Sequence, residues 1–178
     1  MLYVLLFTIL NFSQSFSDTV EAKGTKGISY RAYVNQDTLY FQYKAGSKWS
    51  ASIVIDNGDV ASPSMAITSG DYLHIAWCNN GRICYRTNYQ PITANSIKHD
   101  SNSVWSEKVF ISPYFAEPAS NISIAISGEY VKVTWQAPAE YDSTIDEKWQ
   151  RRRWLQDVPN AWESPECLSK LSTKNQKN

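Results

Sequence analysis

The chain has 178 residues, 17 Lys and Arg against 17 Asp and Glu, 43% hydrophobic residues and 13% aromatics. That length suits one domain of ordinary size with ample apolar material for a core, and the balanced charge offers no basic face for nucleic acid. Seven Trp and eleven Tyr, among many Ser, Thr, Val and Ile, favour strands over helices.

The first residues, MLYVLLFTILNFSQSFS, are apolar from Leu2 to Leu10 and then turn small and polar. This pattern predicts a secretory signal peptide over 1–17, cleaved near Ser17, although no Lys or Arg follows Met1. The competing reading is a buried first strand. The run is too short to span a bilayer, so no membrane span is expected. The protein is expected to be secreted or extracytoplasmic. Residues 18–27 read as a linker.

The segment GDYLHIAWCNNGRICYRTNYQ, Gly70 to Gln90, reads as two strands around Asn80-Gly81. Asn-Gly between alternating apolar runs favours a type I′ hairpin, because both residues tolerate positive φ. His74 alternates with core residues and is expected to face solvent. A two-residue turn sets Cys78 opposite Ile83 and Cys84 opposite Trp77, with the sulfurs on opposite sides of the ribbon, so a Cys78–Cys84 bridge needs a wider loop. Three cysteines make no disulfide framework. His74 and His99 sit in no metal-ligand spacing, and neither a metal nor a cofactor is expected.

This hairpin is one copy of a repeat. Tyr30 to Gln42 aligns on His74 to Arg86 at an offset of 44, with Tyr33 on Trp77, Asn35 on Asn79 and Phe41 on Tyr85. SKWSASIVI (Ser47 to Ile55) matches SVWSEKVFI (Ser103 to Ile111), and NAWESPECL (Asn160 to Leu168) is a weaker third copy. Pro63 to Trp77 matches Asn121 to Trp135, 58 residues on, so Ser69-Gly70-Asp71-Tyr72 and Ser127-Gly128-Glu129-Tyr130 are expected to make one kind of turn. The middle copy then has strands near Ser64–Thr68, Tyr72–Cys78, Arg82–Asn88 and Trp105–Ser112. The third has Ile122–Ile126, Tyr130–Gln136, Trp149–Trp154 and Trp162 onward. The first lacks its first strand and begins near Ile28. Four-stranded antiparallel units repeated at this spacing predict an all-β chain of β-propeller blades, about three of them over residues 28–168. Residues 169–178 read as a polar tail.

PSMAITSGDYLHIAWCNNGRICYR, followed by VWS, resembles the repeats of bacterial sialidase-like propellers. Members of that family carry Asp-boxes, S-x-D-x-G-x-x-W, between the third and fourth strands of a blade. Degenerate counterparts precede each repeated Trp: Gly46 with Trp49, Asp100 and Asn102 with Trp105, and Asp157 with Trp162. The resemblance implies a structural role for them, the Asp accepting main-chain bonds and the Trp tucking into the blade.

The same resemblance makes an exo-α-sialidase the rival function. Such enzymes clamp a carboxylate with three arginines and use a Tyr–Glu nucleophile and an acid/base Asp. No Arg-Ile-Pro motif is present; Arg31 in SYRAY is the nearest counterpart. Arg151-Arg152-Arg153 are consecutive, so Arg151 and Arg153 share one face of a strand, read either as a charge-guarded edge or as an anion site. Glu129-Tyr130 and Glu140-Tyr141 are adjacent pairs whose side chains point apart. No catalytic set assembles. The candidate anion- or glycan-binding residues are Arg31, Arg86, Arg151, Arg153, Tyr33 and Trp77, the two aromatics being equally readable as packing between blades.

These readings point to a secreted, non-catalytic propeller module that binds a glycan or an extracellular protein, or serves as a scaffold. The alternative is a fragment of an exo-α-sialidase or another glycoside hydrolase. Closed propellers need about four to eight blades. Three blades are therefore expected to expose outer faces rich in aromatic and β-branched residues, and to self-associate, two chains closing a six-bladed ring.

Overall fold

A computed structural model describes residues 18–89, 104–113, 119–139 and 142–172, with main chain alone at 142–145 and 169–172. The expected signal peptide, Asp100, Asn102 and His99 lie outside the described residues. Among the described residues there is no helix. The chain forms three four-stranded antiparallel sheets, each a sequential meander. Sheet 1 holds β1 (Asp18–Lys23), β2 (Ser29–Asn35), β3 (Thr38–Lys44) and β4 (Ile53–Asn57). Sheet 2 holds β5 (Val60–Ile67), β6 (Leu73–Asn79), β7 (Arg82–Thr87) and β8 (Val109–Phe110). Sheet 3 holds β9 (Ser120–Ser127), β10 (Tyr130–Ala139), β11 (Asp142–Trp154) and β12 (Glu166–Ser172).

The β6–β7 hairpin follows from Asn80-Gly81. Asn79 pairs with Arg82, and the two turn residues take φ of 48° and 71°. Gln36-Asp37 makes the equivalent turn in sheet 1, with φ of 48° and 58°. Trp77 pairs with Cys84 and Cys78 with Ile83, so the two sulfurs face apart and no disulfide joins them. Burial pushes the Cys84 thiol up to about 12, which leaves it protonated and unreactive. The melting temperature is therefore expected to be the same with and without reductant; a drop of several degrees on adding dithiothreitol would contradict these two buried thiols.

Three expectations need correction. The first copy does have its first strand: β1 occupies the segment read as a linker and pairs with β2 from Asp18↔Val34 to Lys23↔Ser29. Only Val20 and Ala22 of β1 pack on the core, while Thr19, Glu21 and Lys23 are exposed. Second, β12 runs to Ser172, into the segment read as a polar tail. Third, the two Ser-Gly-acid-Tyr turns differ. The β9–β10 turn has two residues, with positive φ at Gly128, whereas the β5–β6 loop spans 68–72 and places positive φ on Asp71. The longer loop leaves Tyr72 outside the strand and 40% exposed.

The repeated tryptophans sit just before the fourth strands, which begin four residues later at Ile53, Val109 and Glu166. In each copy the residue after the Trp donates its N–H to a third-strand carbonyl: Ser50 to Tyr43, Ser106 to Thr87 and Glu163 to Arg152. Trp105 of sheet 2 meets Phe41 of sheet 1 edge-on at 5.1 Å between centroids, and Trp162 of sheet 3 meets Tyr85 of sheet 2 at 4.9 Å. Phe41 and Tyr85 are repeat equivalents. Each Trp thus docks on the third-strand aromatic of the preceding sheet, a geometry that adds to the area it buries.

Sheet 2 is the middle layer. One core lies between it and sheet 1, around Phe41, Leu73, Ile75 and Trp77; a second lies between it and sheet 3, around Tyr85, Val131, Val133 and Trp135. All of β6 is buried because both of its faces are covered. The first strands lie side by side across the sheet boundaries, with Ser62 N–H bonded to Asp18 Oδ2 and Ile124 N–H to Ser64 Oγ.

The two outer faces mix the aromatic residues expected, Tyr33 and Tyr40 on sheet 1 and Tyr130 and Trp154 on sheet 3, with polar ones. The inner positions Leu73, Ile75 and Trp77 correspond to Ser29, Arg31 and Tyr33 on the free face of sheet 1. The inner positions Ala76, Ile83 and Tyr85 correspond to Thr134, Lys148 and Gln150 on the free face of sheet 3.

Candidate ligand-binding cleft between the second and third sheets

Repeat-equivalent positions separate the ordinary interface from the unusual one. Between sheets 1 and 2 stand Tyr30 and Phe41, stacked 6.1 Å apart, and Asn88, which accepts from Leu73 N–H, holds the repeat equivalent of Arg153. Between sheets 2 and 3 the same places hold His74, Tyr85 and Arg153. Two aromatic rings and an amide have been replaced by an imidazole, a phenol and a guanidinium. His74 is 3% exposed and Arg153 2%.

Tyr85 ties the cluster together. Its hydroxyl lies 2.7 Å from His74 Nδ1 and accepts from Arg153 Nη2 at 2.8 Å and Nε at 3.3 Å. With both lone pairs of the phenol taken by the guanidinium, its single proton points at Nδ1. His74 is then the tautomer carrying its proton on Nε2, and that buried N–H has no partner among the described residues. Burial, followed by the Arg153 charge, lowers the His74 pKa to about 3, so the ring is neutral at ordinary pH. Burial raises the Tyr85 pKa against the opposing pull of Arg153.

The rest of Arg153 is held by main chain: Nη1 donates to the carbonyls of Trp154 and Asp157 at 3.0 and 2.7 Å. Among the described residues no carboxylate pairs with it. Beside the cluster opens a cleft of about 420 Å³, lined among others by Tyr72, His74, Tyr89, Arg153, Asp157 and Pro159. Tyr72 and Tyr89 are 40% and 55% exposed. Asp157 is the only carboxylate among the lining residues.

The other candidates do not converge on this cleft. Arg86 donates Nη1 to the Ile55 carbonyl at 2.8 Å, and Arg151 donates Nη1 to the Ile111 carbonyl at 2.9 Å. Those are equivalent bonds at successive interfaces, each stitching a third strand to the fourth strand of the preceding sheet. Arg31 lies on the free face of sheet 1, its guanidinium 4.2 Å from the Trp49 ring and its Nε bonded to Gln42. Tyr33 is on that face too, 5% exposed, stacked on Tyr40 and bonded to Ser52. Trp77 is fully buried and donates to Asp56 at 2.8 Å. Of the six, only Arg153 lines the cleft.

The box residues serve the turns unevenly. Gly46 supplies a φ of 92° and Trp105 and Trp162 are buried, whereas Trp49 is half-buried. In the third turn the bonds are main-chain ones plus Trp162 Nε1 to the Pro159 carbonyl at 2.8 Å. The Asp157 side chain is exposed, and its carboxylate meets no donor among the described residues.

Two misreadings hid this cluster. β11 is an interior strand, paired on both sides, so its arginine run is not a guarded edge. His74 is buried because sheet 3 covers the face assigned to solvent. The repeat alignment carried the missing signal, since it set His74 on Tyr30, a core position.

Among the described residues no cluster of His, Cys, Asp and Glu has metal-site geometry, and no helix is long and apolar enough to cross a membrane. No family model and no curated protein matches the chain.

Proposed function

We propose that the chain is an extracytoplasmic, sialidase-like β-propeller module, its three sheets being consecutive blades of an arc, and that it binds a glycan or protein partner without catalysis. Support for the blade reading comes from the side-by-side first strands, the meander order and the Trp that each sheet lays on its predecessor. Support for binding comes from one observation: the cleft combines buried, preorganised polar groups with two exposed tyrosines, the usual make-up of a recognition site.

Catalysis is disfavoured by what lines the cleft. Hydrolysis of a glycoside calls for two carboxyl groups, or a carboxylate-activated Tyr with a second acid, and Tyr85 is held by Arg153 and His74 instead. A fluorogenic sialoside assay tests the choice. Turnover indistinguishable from buffer is expected. Clear turnover, abolished by Arg31→Ala, would establish the exo-α-sialidase alternative in place of a binding module.

A further inference from the structure

Arg153 and His74 meet on one phenol oxygen; among the described residues the imidazole keeps a buried donor without an acceptor and the guanidinium has no counter-charge. A guanidinium shut away from water is costly unless a counter-charge or a full set of hydrogen bonds accompanies it. The protein supplies three neutral oxygens to Arg153 and no carboxylate among the described residues. His74 adds a buried N–H donor with no acceptor, at a group that lines the cleft. Asp157, the one acid nearby, gives Arg153 its main-chain oxygen and keeps its carboxylate exposed. The acceptors that the described residues give Arg153 are therefore all neutral, and its charge has no counter-ion in the cluster.

We propose that the cleft between sheets 2 and 3 is an oxyanion site, taking a carboxylate or phosphate group against His74 Nε2–H and the Arg153 guanidinium, with Tyr72 and Tyr89 beside the remainder of the ligand. This rests on reading the chain as a binding module and names the charge class of what it binds. Two features beyond the charge support it. Both donor groups are fixed through Tyr85, at 2.7 and 2.8 Å from its oxygen, so little ordering remains to be done on binding. The cluster is also specific to this interface, since its repeat equivalents between sheets 1 and 2 are Tyr30, Phe41 and Asn88.

The test uses the full chain, ¹⁵N-labelled, with the His74 side-chain Nε2 resonance observed while sodium acetate, inorganic phosphate, sodium chloride or methyl β-glucoside is added at constant ionic strength. A saturable shift with acetate or phosphate, absent with chloride, is expected. Whichever oxyanion saturates at the lower concentration identifies the group as carboxylate or phosphate. In Arg153→Gln the shift should vanish, and in Arg153→Lys it should persist with at least tenfold weaker affinity. The wild-type titration stands even if Arg153→Gln does not fold. No saturable shift with either oxyanion, or an equal shift with chloride, overturns the proposal and leaves Nε2 to a bound water. A shift with the glucoside alone also overturns it but keeps the binding-module reading, whereas a blank on every probe together with a blank glycan panel removes both.

Discussion

The stability of this protein should fall steeply as pH drops below 6.5, and His74 should be the largest single cause. Buried against Tyr85 and beside Arg153, its ring resists protonation down to a pKa of about 3. In the unfolded chain it takes up its proton near the ordinary value of about 6.5. Between those two values the unfolded state holds one more proton than the folded state, so acid favours unfolding. The stabilisation from a neutral His74 is thus fully present above about 6.5 and is lost as pH falls toward 3. Each unit in that window removes about 1.4 kcal/mol, so on the order of 3 kcal/mol separates pH 6.5 from pH 4. Urea midpoints measured from pH 8 to pH 4 should show this slope. In His74→Asn, whose amide oxygen can still accept from Tyr85, the slope should flatten by about that amount. An unchanged slope in the variant would place the acid sensitivity elsewhere.

What the sequence revealed was the part of the fold that local chemistry dictates. Asn80-Gly81 specified its hairpin because few residue pairs accept two positive φ values in succession. The tryptophans at 49, 105 and 162 kept their register because each closes a turn onto the third strand. Hidden were the features decided by what covers a face. Alternation in β6 distinguishes its two sides, but it does not say that sheet 3 lies over the second of them, and so His74 was assigned to water. The same limit concealed Arg153, since three consecutive arginines suggest solvent until a neighbouring sheet is placed against one of them. β1 escaped notice for the opposite reason: half of Asp18–Lys23 faces water, and only Val20 and Ala22 mark its inner side. The outer faces keep aromatic residues such as Tyr33 and Tyr40 but carry polar ones where the middle copy is apolar. Ser29 and Arg31 in sheet 1, and Thr134 and Gln150 in sheet 3, depart from the middle copy's pattern on the faces that no described sheet covers.

The largest effect of a single substitution is expected at Asp56, which holds sheets 1 and 2 together at the far end of their shared core. Its carboxylate, 10% exposed, accepts from Trp77 Nε1 at 2.8 Å and Asn79 Nδ2 at 2.6 Å, and it pairs with Lys108 Nζ at 2.9 Å. All three donors come from sheet 2 or the segment leading into β8. Asp56→Ala strands an indole N–H at zero exposure and a cation that is 31% exposed. Breaking a buried pair from one side costs about 3–5 kcal/mol; with Lys108 partly in water, about 3 kcal/mol is expected, read as a shift of the urea midpoint at unchanged m. The next interface indicates which donor dominates. There Ser112 occupies the equivalent of Asp56, engaged with Ile83 N–H and the Pro113 carbonyl, and Trp135 Nε1 stays buried without a partner among the described residues. The fold therefore tolerates an orphan indole N–H at this place in the repeat, and most of the loss should come from the stranded Lys108 charge. Adding Lys108→Met to Asp56→Ala should then recover at least half of the lost stability, because it removes the unpaired charge and gives up only the ammonium contact 5.4 Å from the Phe110 ring centroid. A double variant no more stable than Asp56→Ala would shift the cost to the Trp77 and Asn79 hydrogen bonds.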